Sequence, residues 1–176
     1  MVVMANSKRK GNRFELKVSK WFTQWSNYKF GRTPYSGAYH QNSDLTSDII
    51  CNDEKHAHHC KITIECKNYK EIKFEHVLLG NKGCDIIKFW EQASTDAKRA
   101  GKYPILCMRY NSMPSTEFFF VVDSRIGEFI SQYVTDKNWM ILNIVGKKPL
   151  YVFMASSILK VPYKDFHKKV KATLKQ

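Results

Sequence analysis

Between Asp48 and Lys67 the chain carries two carboxylates and an ammonium whose spacing lets a simple fold bring them to one point. In Ile62-Thr63-Ile64-Glu65-Cys66-Lys67 polar and apolar residues alternate with the period of a β-strand. Lys61, Thr63, Glu65 and Lys67 then share one face, and Ile62, Ile64 and Cys66 share the other. A carboxylate and an ammonium therefore stand side by side. Asp48 opens an earlier apolar run, Ile49-Ile50-Cys51, and the polar stretch between the runs suits a hairpin tip that returns Glu65 beside Asp48. Carboxylates held that close repel, and one tends to keep its proton unless a divalent cation neutralises both. Mg²⁺, with Mn²⁺ as a substitute, suits such oxygen donors.

The elements around these residues follow from periodicity. After a basic N-terminal arm, Lys8-Arg9-Lys10, the residues Phe14, Val18, Trp21, Phe22 and Trp25 recur at helical spacing and predict an amphipathic first helix, with Glu15 at the border of its apolar face. Arg13, Lys17 and Lys20 form a basic stripe on that helix, suited either to solvent or to phosphate contact. A strand around Tyr28 to Arg32 and the turn Pro34-Tyr35-Ser36-Gly37 precede the Asp48 and Glu65 strands. A second helix is predicted from about Cys84 to Ala100, stopped by Gly101. Pro104 to Met108 and Phe118 to Val122 read as buried strands. Beyond them come a short helix around Ile126 to Tyr133 and a hairpin of Trp139 to Val145 and Leu150 to Met154, turning at Gly146-Lys147-Lys148-Pro149. The basic stretch from Tyr163 to Gln176 reads as an amphipathic helix or a disordered tail. The fold class is α/β, a central mixed β-sheet flanked by helices, with a C-terminal α+β extension.

Composition narrows the partners. The chain has 176 residues with 43% hydrophobic content, enough for one domain with a proper core. We expect a single domain over residues 1–176, its core about 8–123 and its extension about 124–176. A formal charge of +13, from 29 Lys and Arg against 16 acidic residues, favours a polyanion: nucleic acid or an acidic membrane surface. No apolar run approaches the ~18 residues of a membrane span, and Met1 to Ala5 is too short for a signal-peptide core, so a cytoplasmic location is expected. Five unevenly spaced cysteines argue for reduced thiols, with Cys66 and Cys107 as small core residues.

A helix bearing a glutamate, a strand opening with aspartate and a following Glu-x-Lys strand resemble the PD-(D/E)XK nuclease superfamily, whose second half Ile64-Glu65-Cys66-Lys67 matches closely. Within it, Lys10-Gly11-Asn12-Arg13-Phe14-Glu15 is similar to the Lys-Gly-x-x-x-Glu opening of archaeal-type Holliday junction resolvases, and Pro34-Tyr35-Ser36-Gly37 to their Ser-Gly turn. The resemblance covers roughly residues 8 to 110. Ser47 stands where the family usually has proline, and Asp48 is preferred over Asp44 because it begins the apolar run. The hairpin between Asp48 and Glu65 is long, with Asp53, Glu54, His56, His58, His59 and Cys60 near its tip. With Cys51 these could form a zinc site, but their spacing fits no standard ligand pair, and a solvated or DNA-touching turn is the preferred reading.

The resemblance implies a restriction-endonuclease-like core and a Mg²⁺-dependent endodeoxyribonuclease, most like a junction resolvase. It implies that Asp48, Glu65 and the Cys66 carbonyl bind the metal and that Glu15 completes the site directly or through water. Lys67 would orient the attacking water or neutralise the phosphate, Ser36 would contact the phosphate, and Gln92 would hydrogen-bond near the active site. Lys8, Arg9, Lys10, Arg13, Lys17, Lys70 and Lys73, with Arg109, are candidate DNA contacts. Symmetric cutting of a four-way junction implies a homodimer. Other readings are a restriction, repair or phage-replication nuclease on duplex or flapped DNA, in host cytoplasm if phage-encoded, or a catalytically inactive DNA-binding protein. A membrane-surface protein would leave the carboxylates unexplained.

Overall fold

A computed structural model describes residues 2–33, 47–80, 84–136 and 138–175, with side chains from Lys8 onward. Helix α1 (Val2–Ser26) places Phe14, Val18 and Phe22 on one buried stripe. Lys8, Arg9 and Lys10, expected as an arm ahead of the helix, lie within it: Lys8 to Lys10 contain no helix breaker, and the helix runs back through them. It stops at Asn27, whose φ of 59° is the left-handed conformation that ends helices, with its N–H on the Thr23 carbonyl at 2.9 Å.

Among the described residues seven strands form one sheet: β1 (Phe30–Arg32), β2 (Ile49–Cys51), β3 (Ile62–Tyr69), β4 (Tyr103–Tyr110), β5 (Phe119–Asp123), β6 (Trp139–Leu142) and β7 (Leu150–Met154), in the order β1-β2-β3-β4-β5-β7-β6. Of these strands only β3 and β4 pair in parallel, and the chain between them carries α2 (Glu75–Leu78) and α3 (Asp85–Arg99). Helices α4 (Ser124–Ser131), α5 (Ala155–Ile158) and α6 (Tyr163–Thr173) complete the chain, so the Tyr163 to Gln176 stretch is helical through Thr173. The predicted strand at Tyr28 is two residues shorter and the strand from Trp139 ends at Leu142, ahead of the turn where Gly146 takes a φ of 73°.

Both faces of the sheet are covered. One packs Ile62, Ile64, Ile105, Cys107 and Phe120 against α1, α4 and α6; the other packs Leu106, Met108 and Val121 against Ile86 of α3 and Val77 of α2. That double burial explains why β4 reads as a continuous apolar run. The C-terminal residues belong to this same core: β7 pairs with β5, and Trp25 of α1 meets the Phe166 ring at 4.9 Å and donates to the Val161 carbonyl at 2.7 Å. Asp123 caps α4 by accepting from the Arg125 N–H at 3.1 Å while Tyr103 donates its hydroxyl at 2.7 Å, tying β4, β5 and α4 together. Among the described residues no helix is long and apolar enough to cross a membrane.

Gly127 marks where α4 closes on β7, since a Cβ there would overlap Cβ and Cγ of Tyr151, atoms too near the backbone to swing away. Gly127→Ala is expected to cost about 2 kcal/mol in a denaturant titration. A change below about 0.5 kcal/mol would mean that α4 does not pack there this closely.

Candidate active site

The antiparallel register of β2 and β3 pairs Ile49 with Ile64, and one step further along sets Asp48 opposite Glu65. Asp48 is locked there: its Oδ2 accepts the Cys66 backbone N–H at 2.8 Å, and its carbonyl accepts the Thr33 N–H at 2.9 Å. Ser47, in the place of the usual proline, is buried; its carbonyl accepts the Thr33 hydroxyl at 2.5 Å and its own hydroxyl donates to the Ile49 carbonyl at 3.1 Å. The hydroxyl thus contributes one bond to the turn that a proline could not make.

Glu65 is only 5% exposed and lies on an interior strand, so its pairing with Lys67 is not an exposed ion pair on a sheet edge. Its Oε1 receives the Lys67 ammonium at 2.7 Å and the Gln92 amide at 3.1 Å, while the Gln92 oxygen accepts from Lys67 at 3.0 Å. Lys67 also stands over the Phe89 ring, 5.4 Å from its centroid. Phe89 and Gln92 are three apart on α3, so one helix face supplies both contacts.

The two carboxylates are electrostatically strained. Burial and the Asp48 charge push Glu65 up to about 7, with Lys67 pulling back. Burial pushes Asp48 up to about 6, opposed by the Cys66 N–H and reinforced by Glu15. Burial pulls the Lys67 ammonium down, but Glu65 and Asp48 outweigh it and leave the pKa raised. The donor chemistry fits a divalent cation: Mg²⁺ is commonly held by one or two carboxylates and several waters, and a cation here would relieve both burial and repulsion.

Glu15 faces this pair from α1, but Arg32 holds it at 2.6 Å and bonds Asn12 at 2.9 Å. Among the described residues no three His, Cys, Asp or Glu side chains are grouped as a ready-made metal cage. Ser36, with His40 and Asp44, lies outside the described residues. At the hairpin tip His56 bonds Asp53 at 2.7 Å and stacks on Tyr28, His58 and His59 are exposed, and Cys51 and Cys60 are buried free thiols.

Of the candidate DNA contacts, Lys8, Arg9 and Arg13 are exposed on α1, Lys70 is exposed after β3, and Lys73 pairs with Glu71 at 3.3 Å. Arg9, Lys10, Arg13, Lys17 and Arg109 line one cleft. Sequence reasoning passed over Arg32, Phe89 and Asn68. Strand alternation after Lys67 and the three-residue step before Gln92 were the available signals for Asn68 and Phe89, whereas Arg32 acts through a contact that no spacing announces.

Residues 6–149 match the family described as "Phage putative PDDEXK endonuclease". The chain is also 27% identical over 104 residues to Protein D14 of Escherichia phage T5, an alignment that covers 59% of this chain and 64% of that protein. The match therefore spans a little under two thirds of that relative's length. No solved structure matches the chain.

A carboxylate whose native pKa lies above its unfolded value of about 4 holds its proton more tightly when folded. For Asp48 and Glu65 this stabilises the protein below the unfolded value, relative to neutral pH, and the benefit is lost as pH rises through about 6 and 7. In EDTA, Asp48→Asn is therefore expected to be more stable than the natural protein at pH ~8, by on the order of 2 kcal/mol, with the difference closing toward pH ~4. Thermal melts across that range check it; equal stability at both ends would mean that the pair is not strained.

Proposed function

The chain belongs to the phage putative PDDEXK endonuclease family, and on that premise we propose that it hydrolyses DNA phosphodiester bonds at the Asp48, Glu65 and Lys67 cluster. The observation that carries this reading is the buried, mutually repelling pair Asp48 and Glu65 with Lys67 bonded to one of them. A DNA-binding module has no use for buried carboxylates facing a polyanion, which would repel it.

Asp48, Glu65 and the Cys66 carbonyl would hold the cation, Mg²⁺ or Mn²⁺ in its place. When bound, it supplies a water of lowered pKa and offsets the charge that builds on the phosphate. Lys67 keeps its proton and presents an ammonium to the scissile phosphate or the attacking water. Gln92 restrains both Lys67 and Glu65, a positioning role. Glu15 would join the site through water once Arg32 turns toward phosphate, and Ser36 is proposed as a phosphate contact on the family resemblance alone. Lys8, Arg9, Lys10, Arg13, Lys17, Lys70, Lys73 and Arg109 would carry the DNA backbone.

The finer proposal is selectivity for four-way junctions by a homodimer. It is supported by the Lys10-Gly11 to Glu15 pattern, which the fold carries on α1 beside the site. Cutting of duplex or flapped DNA, as for a phage-replication nuclease, is the competing specificity.

The test is cleavage of a labelled junction, duplex, flap and single strand with Mg²⁺ or Mn²⁺. Asp48→Asn and Glu65→Gln are each expected to lower the rate by at least about 10³-fold, and Lys67→Met by about 10²-fold or more. Gln92→Ala is expected to cost about tenfold. Symmetric junction cuts would establish the finer reading; tight binding without cutting of any substrate would sink the enzyme reading.

A further inference from the structure

On the sheet face turned toward α1, one residue past Lys67, a cleft of about 560 Å³ opens between α1 and the ends of β3 and β4. Arg9, Lys10, Arg13 and Lys17 enter from the helix, Asn68 and Arg109 from paired positions of the two strands. Three of its polar atoms, Lys17 Nζ, Asn68 Oδ1 and Arg109 Nε, are buried and have no hydrogen-bonding partner in the protein. Orphaned atoms of that kind are costly and uncommon, and charged ones most of all. They converge in one place.

The surroundings hold these groups rather than neutralise them. Arg109 donates Nη2 to the Met113 carbonyl at 2.9 Å, fixing its plane with Nε turned elsewhere. Lys10 donates to the Tyr69 carbonyl at 3.2 Å, and Asn68 Nδ2 donates to the Lys10 carbonyl at a long 3.4 Å. Burial and the Arg109 charge both depress the Lys17 ammonium, with Glu117 pulling back only in part, and the same two effects depress Lys10. Cations crowded against one another, with only Glu117 acting against them, are the mirror image of the Asp48 and Glu65 pair.

We propose that this cleft is a built pocket for one phosphate group of a nucleic-acid strand, separate from the phosphate that is cut, with Lys17 and Arg109 as its principal ligands. A tetrahedral oxyanion accepts from Lys17 Nζ and Arg109 Nε together, and Asn68 contributes through either end of its amide, whose orientation is set by the network it joins. The phosphate is either a diester within the strand or a monoester at its end. The inference rests on the nuclease reading for the source of the phosphate, but not for the pocket. A nuclease with this second point of attachment gains a fixed register between a bound phosphate and the bond it cuts.

Binding of a short labelled duplex to the full-length protein, measured by anisotropy in EDTA so that nothing is cut, separates the pocket from catalysis. Lys17→Gln and Arg109→Gln are each expected to weaken binding about tenfold and to lower the slope of log affinity against log salt by about one. Lys98→Gln, an exposed charge on α3 across the sheet, should change affinity by less than about twofold. Should Arg109→Gln unfold through loss of its Met113 bond, Lys17→Gln decides alone, since its ammonium has no bond in the protein to lose. A penalty confined to 5′-phosphorylated duplex assigns a terminal monoester; an equal penalty on 5′-hydroxyl duplex assigns an internal diester. Losses no larger than that of Lys98→Gln on both duplexes would overturn the pocket, whether or not the protein cuts DNA.

Discussion

Two carboxylates that repel each other are held together by backbone. The strand register sets Asp48 opposite Glu65, the Cys66 N–H clamps Asp48, and Lys67 and Gln92 hold Glu65. Burial denies them the water that would screen the repulsion. Lys67 offsets part of this, yet both groups stay well above the ordinary carboxylate range. The protein carries this strain beside large apolar clusters on both faces of the sheet, which supply the stability to tolerate it.

The rest of the architecture serves that arrangement. The parallel step from β3 to β4 requires a crossover, and the crossover brings α3 over the Glu65 face, where Gln92 and Phe89 fix Lys67. Helix α1 covers the opposite face and carries both Glu15 toward the carboxylates and a row of cations toward the cleft beyond Asn68. Alternation along one strand thus separates a site in which carboxylates crowd from a site in which cations crowd. A divalent cation satisfies the first and a phosphate strand the second, so the frustration of the isolated protein matches the chemistry of a metal-dependent nuclease of nucleic acid.

Much of this was legible in the sequence because it rests on short-range periodicity. The β3 alternation, the α1 stripe, the stop at Gly101 and the buried strand at Phe118 to Val122 all follow from neighbours in the chain. Gln92 was reached through family likeness, and the fold brings it within bonding distance of Glu65 and Lys67. The supposed arm at Lys8 to Lys10 was misjudged because charge alone distinguishes it from the helix it continues. The Arg32 grip on Glu15 and the convergence of Lys17 with Arg109 depend on residues 17 and 92 positions apart, which no local pattern records. The C-terminal residues gave little chemical signal, yet they supply β7 and α6 to the common sheet and core.

The most direct test of the strained pair is calorimetric titration of Mn²⁺ into the metal-free protein in two buffers of different ionisation enthalpy, at pH ~6 and pH ~8. If Asp48 and Glu65 are the ligands, the cation must displace protons that they hold at the lower pH. Proton release on the order of one per site should then appear at pH ~6, shrink at pH ~8, and vanish with the binding heat in Asp48→Asn. Saturable binding that persists in Asp48→Asn, or that releases no protons at either pH, would contradict the account.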